Sequence, residues 1–133
     1  MEEGDHRALS EILEARGRFG HREHLELAWT LLSKCEIETA KSAMASSIRH
    51  VALIHGEAVR YHDTITRSWV HLVARHREHS DARTFDAFIT DNAELMDRRL
   101  LSHHYSPEVL AGAHARASWT EPDLCPLPAL HTQ

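Results

Sequence analysis

The sequence predicts an all-α protein, a small antiparallel helical bundle with an extended C-terminal tail. Three observations carry that prediction. Apolar residues recur at helical spacing through 21–35, 36–55 and 57–78. Glycines, Ser80-Asp81 and Ser106-Pro107 punctuate the chain between helical runs. Sustained β-branched alternation, which strands would need, is missing.

The elements follow in chain order. Residues 5–16 read as a short amphipathic helix, with Asp5 as N-cap and Leu9, Ile12 and Leu13 as its apolar edge. Gly17 and Gly20 enclose a turn that places Phe19 at the end of the bundle. A second helix runs from about His21 to Cys35. At about 100° per residue, His21, His24, Leu25, Ala28 and Leu32 share one of its faces. A third helix covers 36–55, with Ile37, Met44, Ile48, Val51 and His55 near one line, and Gly56 fits its C-terminal stop. The fourth covers 57–78, with Val59, His62, Ile65, Trp69 and Val73 on one stripe. Thr84 caps a short helix from Phe85 through Phe88, and Asp91 or Asn92 starts another carrying Leu95, Met96, Leu100 and Leu101. Ser106 at the N-cap and Pro107 at the first helical position open a last short helix that ends by Gly112. Residues 113–133 hold three of the four prolines and no helical period, so they are expected to lie extended. One helical domain over 1–133 is expected, with the N-terminal helix and turn at 1–18.

Composition narrows the function classes. A chain of 133 residues that is 42% apolar can build one core. No run approaches the roughly 20 apolar residues of a membrane helix. The start Met1-Glu2-Glu3-Gly4-Asp5 lacks a signal pattern, so no membrane and a cytoplasmic location are expected. Net charge is −5, with basic residues scattered in ones and twos, which argues against a nucleic-acid surface. Cys35 and Cys125 match no disulfide framework and no Cys-based zinc motif, so free thiols are expected. Thirteen histidines are the anomaly. They would change the sign of the net charge as they titrate below neutral pH.

Short connections make helices two, three and four run antiparallel to their neighbours. Helix two spans roughly 21 Å and helix three returns over roughly 28 Å. His21, His24, His55 and His62 then fall at one end of the bundle, and His103 and His104 can reach it, while His71 faces away. Imidazoles at i and i+3 can ligate one ion together with a third from another helix, a donor set suited to zinc or copper. Iron would want a carboxylate, from Glu23, Glu57 or Asp63. The alternative is that each histidine is a hydrogen-bonded core residue, the ordinary state of a lone histidine on an apolar face. Trp29, Trp69, Phe85 and Phe88 read as core, and Arg98-Arg99 as a solvated patch that could hold an anion. No nucleophile context, phosphate loop or dinucleotide fingerprint appears.

Phe19-x-His21-x-x-His24-x-x-x-x-Trp29, Tyr61-His62-Asp63-Thr64-x-Thr66, His104-Tyr105-Ser106 and Trp119-x-x-Pro122-Asp123-Leu124 together resemble a family of small, uncharacterised bacterial helical proteins. That family's pattern reads Phe-x-His-x-x-His, Tyr-His-Glu-Thr-x-Thr and Tyr-Tyr-Ser. Asp63 stands where it usually has Glu, and His104 where it usually has Tyr. The resemblance covers most of the chain beyond residue 18. It implies a common site for His21, His24 and His62, and brings no reaction with it.

The expectation drawn from these residues is a metal-dependent enzyme acting on a small organic molecule. His21, His24 and His62 would hold one copper, iron or zinc ion, with His55 or His104 as a fourth ligand. Tyr61 and Tyr105 would position substrate or donate a proton. Oxidative chemistry is favoured over hydrolysis, and a homo-oligomer is allowed. The alternatives are a non-enzymatic metal, haem or small-ligand binding protein, or a helical interaction module whose histidines are structural.

Overall fold

The computed structural model describes residues 2–130, with side chains described over 7–130. Among these residues the fold is all-α, with no strand. In chain order the helices are α1 (Glu2–Arg16), α2 (His21–Leu32), α3 (Ile37–Ile54), α4 (Asp63–Glu78), α5 (Phe85–Asp91), α6 (Pro107–Ala111) and α7 (Ala113–Ala117). Three 3₁₀ turns lie between them, at Ala58–Arg60, Ala93–Met96 and Arg98–His103.

Local chemistry sets most of these boundaries. The Glu23 carboxylate reaches back to the Gly20 N–H at 2.8 Å, closing the first turn of α2. Glu36 caps α3 by accepting from the N–H groups of Glu38 and Thr39, both at 3.0 Å. The end of α3 is a double closure. Gly56 N–H donates to Leu53 O at 3.1 Å and Glu57 N–H to Ala52 O at 2.7 Å, with Gly56 at φ +71°. That conformation strains any residue with a Cβ, which is why glycine stands there. Thr84 and Ser106 cap α5 and α6 as their positions suggest.

The bundle is α2, α3 and α4 packed on one another, with α1 against α2 and α3 and α7 against α4. Its core joins Leu25, Leu27, Ala28 and Leu31 of α2 to Met44 of α3 and to Trp69, Val70, Leu72 and Val73 of α4. Ala8, Leu9 and Ile12 of α1 and Phe85, Phe88 and Ile89 of α5 complete it. Burying a leucine of this kind contributes roughly 2 kcal/mol. On α3 the innermost face includes Ala40, Ala43 and Ser47, small residues that admit neighbouring side chains close to the helix. No helix among the described residues is long and apolar enough to cross a membrane.

Four expectations about the elements need correction. α1 starts at Glu2, so Asp5 lies inside the helix and not at its cap, and its side chain falls outside the described ones. α4 starts at Asp63; residues 57–62 are a 3₁₀ turn followed by extended backbone, because the closure at Gly56 ends the helical phase there. The region after α5 is mainly 3₁₀ turn instead of α-helix. The tail is not extended from residue 113, since Ala113–Ala117 forms a helical turn rich in alanine, the best helix former. Beyond Ser118 the chain lies without helix across α3 and α4 as far as residue 130, and residues 131–133 of the expected tail fall outside the described ones.

The tail is fastened by polar contacts. Thr64 donates its hydroxyl to Ser118 O at 2.9 Å and accepts from Thr120 N at 3.1 Å. His71 donates Nε2–H to Pro128 O at 2.7 Å, and the Lys41 ammonium sits 5.5 Å from the Trp119 ring. His71 therefore turns towards the tail.

Candidate functional site

The starts of α2 and α4, the second half of α3 and the 98–110 arm enclose a cavity of about 630 Å³. Its wall is mostly apolar: Phe19, Ile48, Ile65, Trp69, Leu101, Pro107 and Leu110. His21, His24, Arg98, Ser102 and Tyr105 supply its polar groups, and no carboxylate lines it among the described residues. A second cavity, of about 680 Å³, lies under the tail. The charges that line it already have partners: Lys41 faces Glu38 at 3.6 Å, Arg67 holds Asp63 behind the wall at 2.9 Å, and Glu121 accepts from the Trp119 indole N–H at 2.8 Å. It is a seam between tail and bundle, whereas the first cavity has polar groups to spare.

His21 and His24 sit one turn apart on α2. The His21 ring stands edge-on to Trp69 with centroids 4.7 Å apart, and its Nε2–H donates to Leu95 O at 2.8 Å. Burial lowers its pKa, and the positive field of Arg98 adds to that. The His24 ring leans on Phe19 at 5.9 Å between centroids. Its Nε2 is sealed from solvent and has no hydrogen-bond partner among the described residues. Burial above all, then His21 and Arg98, depress the His24 pKa from 6.5 to about 4. At neutral pH His24 is an uncharged imidazole with one unsatisfied nitrogen in an apolar wall. Leaving such a group unpaired costs about 1–3 kcal/mol.

His62 is placed differently from the expectation. It is the N-cap of α4, not a residue one and a half turns into the helix. Its Nδ1 accepts from Ile65 N–H at 3.1 Å and its Nε2 faces Leu110 O at 2.8 Å. A backbone N–H only donates and a carbonyl only accepts, so the ring is the neutral Nε2–H tautomer with both nitrogens engaged. Ile65 and Leu110 line the cavity and His62 does not. It braces that wall from behind, and burial lowers its pKa.

The other expected ligands lie elsewhere. His55 is exposed at the C-terminal cap of α3, because α3 ends before bringing it round to the core. His104 is half-buried and donates Nδ1–H to Cys125 O at 2.9 Å, tying the arm to the tail. Among the described residues no group of three or more His, Cys, Asp or Glu side chains is arranged to hold one ion. Cys35 donates its thiol to Leu31 O at 3.2 Å, and Cys125 is exposed.

The tyrosines are similarly divided. Tyr61 lies outside the cavity and donates its hydroxyl to Asp63 at 2.7 Å; burial and that carboxylate push its pKa up. Tyr105 lines the cavity, but its hydroxyl donates to Thr120 O at 2.5 Å and burial raises its pKa also. Neither phenol is poised to give up a proton at neutral pH.

Sequence reasoning missed the role of Asp63. This buried carboxylate accepts from Tyr61, from Arg49 at 3.2 Å and from Arg67 at 2.9 Å, and Arg49 also covers the Tyr61 ring at 4.9 Å. The Tyr-His-Asp-Thr stretch is thus a structural knot: His62 caps, Asp63 gathers the cations, and Thr64 holds the tail. The cavity walls contributed by Leu101, Pro107 and Leu110 had no signal beyond being apolar. Comparison of the chain with protein-family models, curated proteins and solved structures finds no match.

Proposed function

We propose that this chain binds a small, largely apolar organic molecule in the cavity between α2, α4 and the 98–110 arm. The observation that carries this reading is the sealed, unpartnered Nε2 of His24 in an apolar wall. The ring nitrogens of His21, His62, His71 and His104 find backbone partners, so the unpaired group of His24 stands apart. A ligand polar group that reached it, by parting the side chains that seal it, would relieve the desolvation cost. The volume falls in the range of about 300–1,000 Å³ usual for small-molecule sites.

The test is a fluorescence titration with the neutral apolar dye N-phenyl-1-naphthylamine. The wild type should show saturable binding at one site. Ser102→Trp, a substitution at an exposed residue of the cavity mouth, should weaken it at least tenfold without altering the helical circular dichroism. Non-saturating binding, or binding indifferent to Ser102→Trp, would refute the reading.

A second reading, a transition-metal enzyme, draws on the proximity of His21 and His24 on one wall. A copper, iron or zinc ion there would supply redox or Lewis-acid chemistry to a bound molecule. The described side chains offer two imidazoles, of which His21 is bonded to Leu95 O, and no third donor, so this reading ranks second. Metal content by mass spectrometry on protein prepared without chelator decides it. One equivalent, lost in both His21→Ala and His24→Ala, would put this reading first.

A further inference from the structure

Resting on the small-molecule reading above, we infer that the ligand is an amphipathic monoanion, an apolar body bearing one carboxylate-like head, with the head seated between Arg98 and His24. The argument begins with charge. Among the described residues that line the cavity, Arg98 is the only formal charge, and no Asp or Glu joins it there. The neighbouring carboxylates are committed elsewhere. Asp97 is held by Arg99 at 3.1 Å, and Glu23 is held by the Gly20 N–H at 2.8 Å and by Arg18 at 3.5 Å. The field in the cavity is therefore positive, as the depressing influence of Arg98 on both His21 and His24 also indicates.

Chemistry then selects the sign and shape of the guest. A cation would meet Arg98 with no counter-charge in the wall. A wholly apolar guest would leave Arg98 and the His24 nitrogen unused. A carboxylate can accept from the guanidinium at the mouth and, once the side chains that seal it part, from His24 in its Nε2–H tautomer further in. The remaining surface, formed by Phe19, Ile48, Ile65, Trp69, Leu101 and Leu110, suits an alkyl or aromatic body. Arg98 is exposed, so the ion pair is partly screened and should weaken with added salt.

The experiment is displacement of N-phenyl-1-naphthylamine by three probes of equal length: decanoate, 1-decanol and decylamine. Decanoate should bind about tenfold more tightly than decanol and more tightly still than decylamine, as expected when one charge-assisted contact is gained or opposed. Arg98→Gln should bring the decanoate-to-decanol ratio towards one, while Arg99→Gln, altering the neighbouring arginine paired with Asp97, should leave it unchanged. If the dye saturates but the three probes bind alike, or decylamine binds best, or none displaces it, the anion inference is overturned and the cavity reading stands. If the dye itself does not saturate, the cavity reading falls and takes this inference with it.

Discussion

Replacing His62 by alanine should destabilise the fold by about 3 kcal/mol. Two losses make up that figure. The Nδ1 lone pair caps α4 by accepting from Ile65 N–H, and losing an N-cap acceptor costs about 1 kcal/mol. The Nε2–H satisfies Leu110 O from a residue that is only 8% exposed, and a carbonyl left unpaired there costs about 2 kcal/mol more. At about 2.1 cal/mol/K per residue, the unfolding entropy of 133 residues is about 0.28 kcal/mol/K, so the melting temperature should fall by about 10 °C. Urea unfolding followed by circular dichroism measures the first quantity and a thermal melt the second. His62→Asn is the internal control. Its shorter side chain can cap α4 but cannot span to Leu110, so about 1 kcal/mol should return. A loss below about 0.5 kcal/mol in His62→Ala, or equal losses in both variants, would refute this account of the ring.

Two further predictions concern charge. Burial lowers the pKa of His21, His24, His62 and His71, so the unfolded chain binds protons that the fold does not. Stability should be full above pH 6.5 and fall as pH drops from there towards 4. His24 alone, with a folded pKa of about 4, should account for about 2 kcal/mol at pH 5; urea midpoints flat between pH 7 and 5 would contradict this. Asp63→Asn removes the charge that holds Arg49 and Arg67 at a buried position, and should cost about 2 kcal/mol in the same urea assay. A cost under about 0.5 kcal/mol would mean that the three donors find other partners.

The three main helices were legible because large apolar residues fall on their inner faces: Leu25 on α2, Met44 on α3, Trp69 and Val73 on α4. The caps at Thr84 and Ser106 were legible because hydroxyls at those positions act within three residues. The phase of His62 was not. Val59 continues the helical spacing and is 83% exposed, because the turn at Gly56 and the extended Tyr61 break the helix that the spacing implies. A histidine N-cap also lies outside the Ser, Thr, Asp and Asn set by which caps are recognised. The turn Ala113–Ala117 went unread for the opposite reason. Its alanines favour helix, but Ala115 alone is buried, so no apolar period marks it.

The histidines show why residue type and spacing could not tell which of them share a site. Neutral imidazole offers one donor and one acceptor, and that pair of roles serves a backbone carbonyl as well as a metal ion. The carbonyls it serves lie 74 residues from His21, 48 from His62, 57 from His71 and 21 from His104. A carbonyl is present at every position, so nothing in the sequence marks which one will be chosen. Each choice joins segments remote in the chain: α2 to the first 3₁₀ turn after α5, α4 to α6, and α4 or the arm to the tail. His24 occupies the same helix face as His21, one turn further along, yet its buried Nε2 has no partner among the described residues, and its ring rests on that of Phe19 in a mostly apolar wall. The contrast between these neighbours, one satisfied by the fold and one left unsatisfied beside open volume, is what separates structural histidine from candidate site in this molecule.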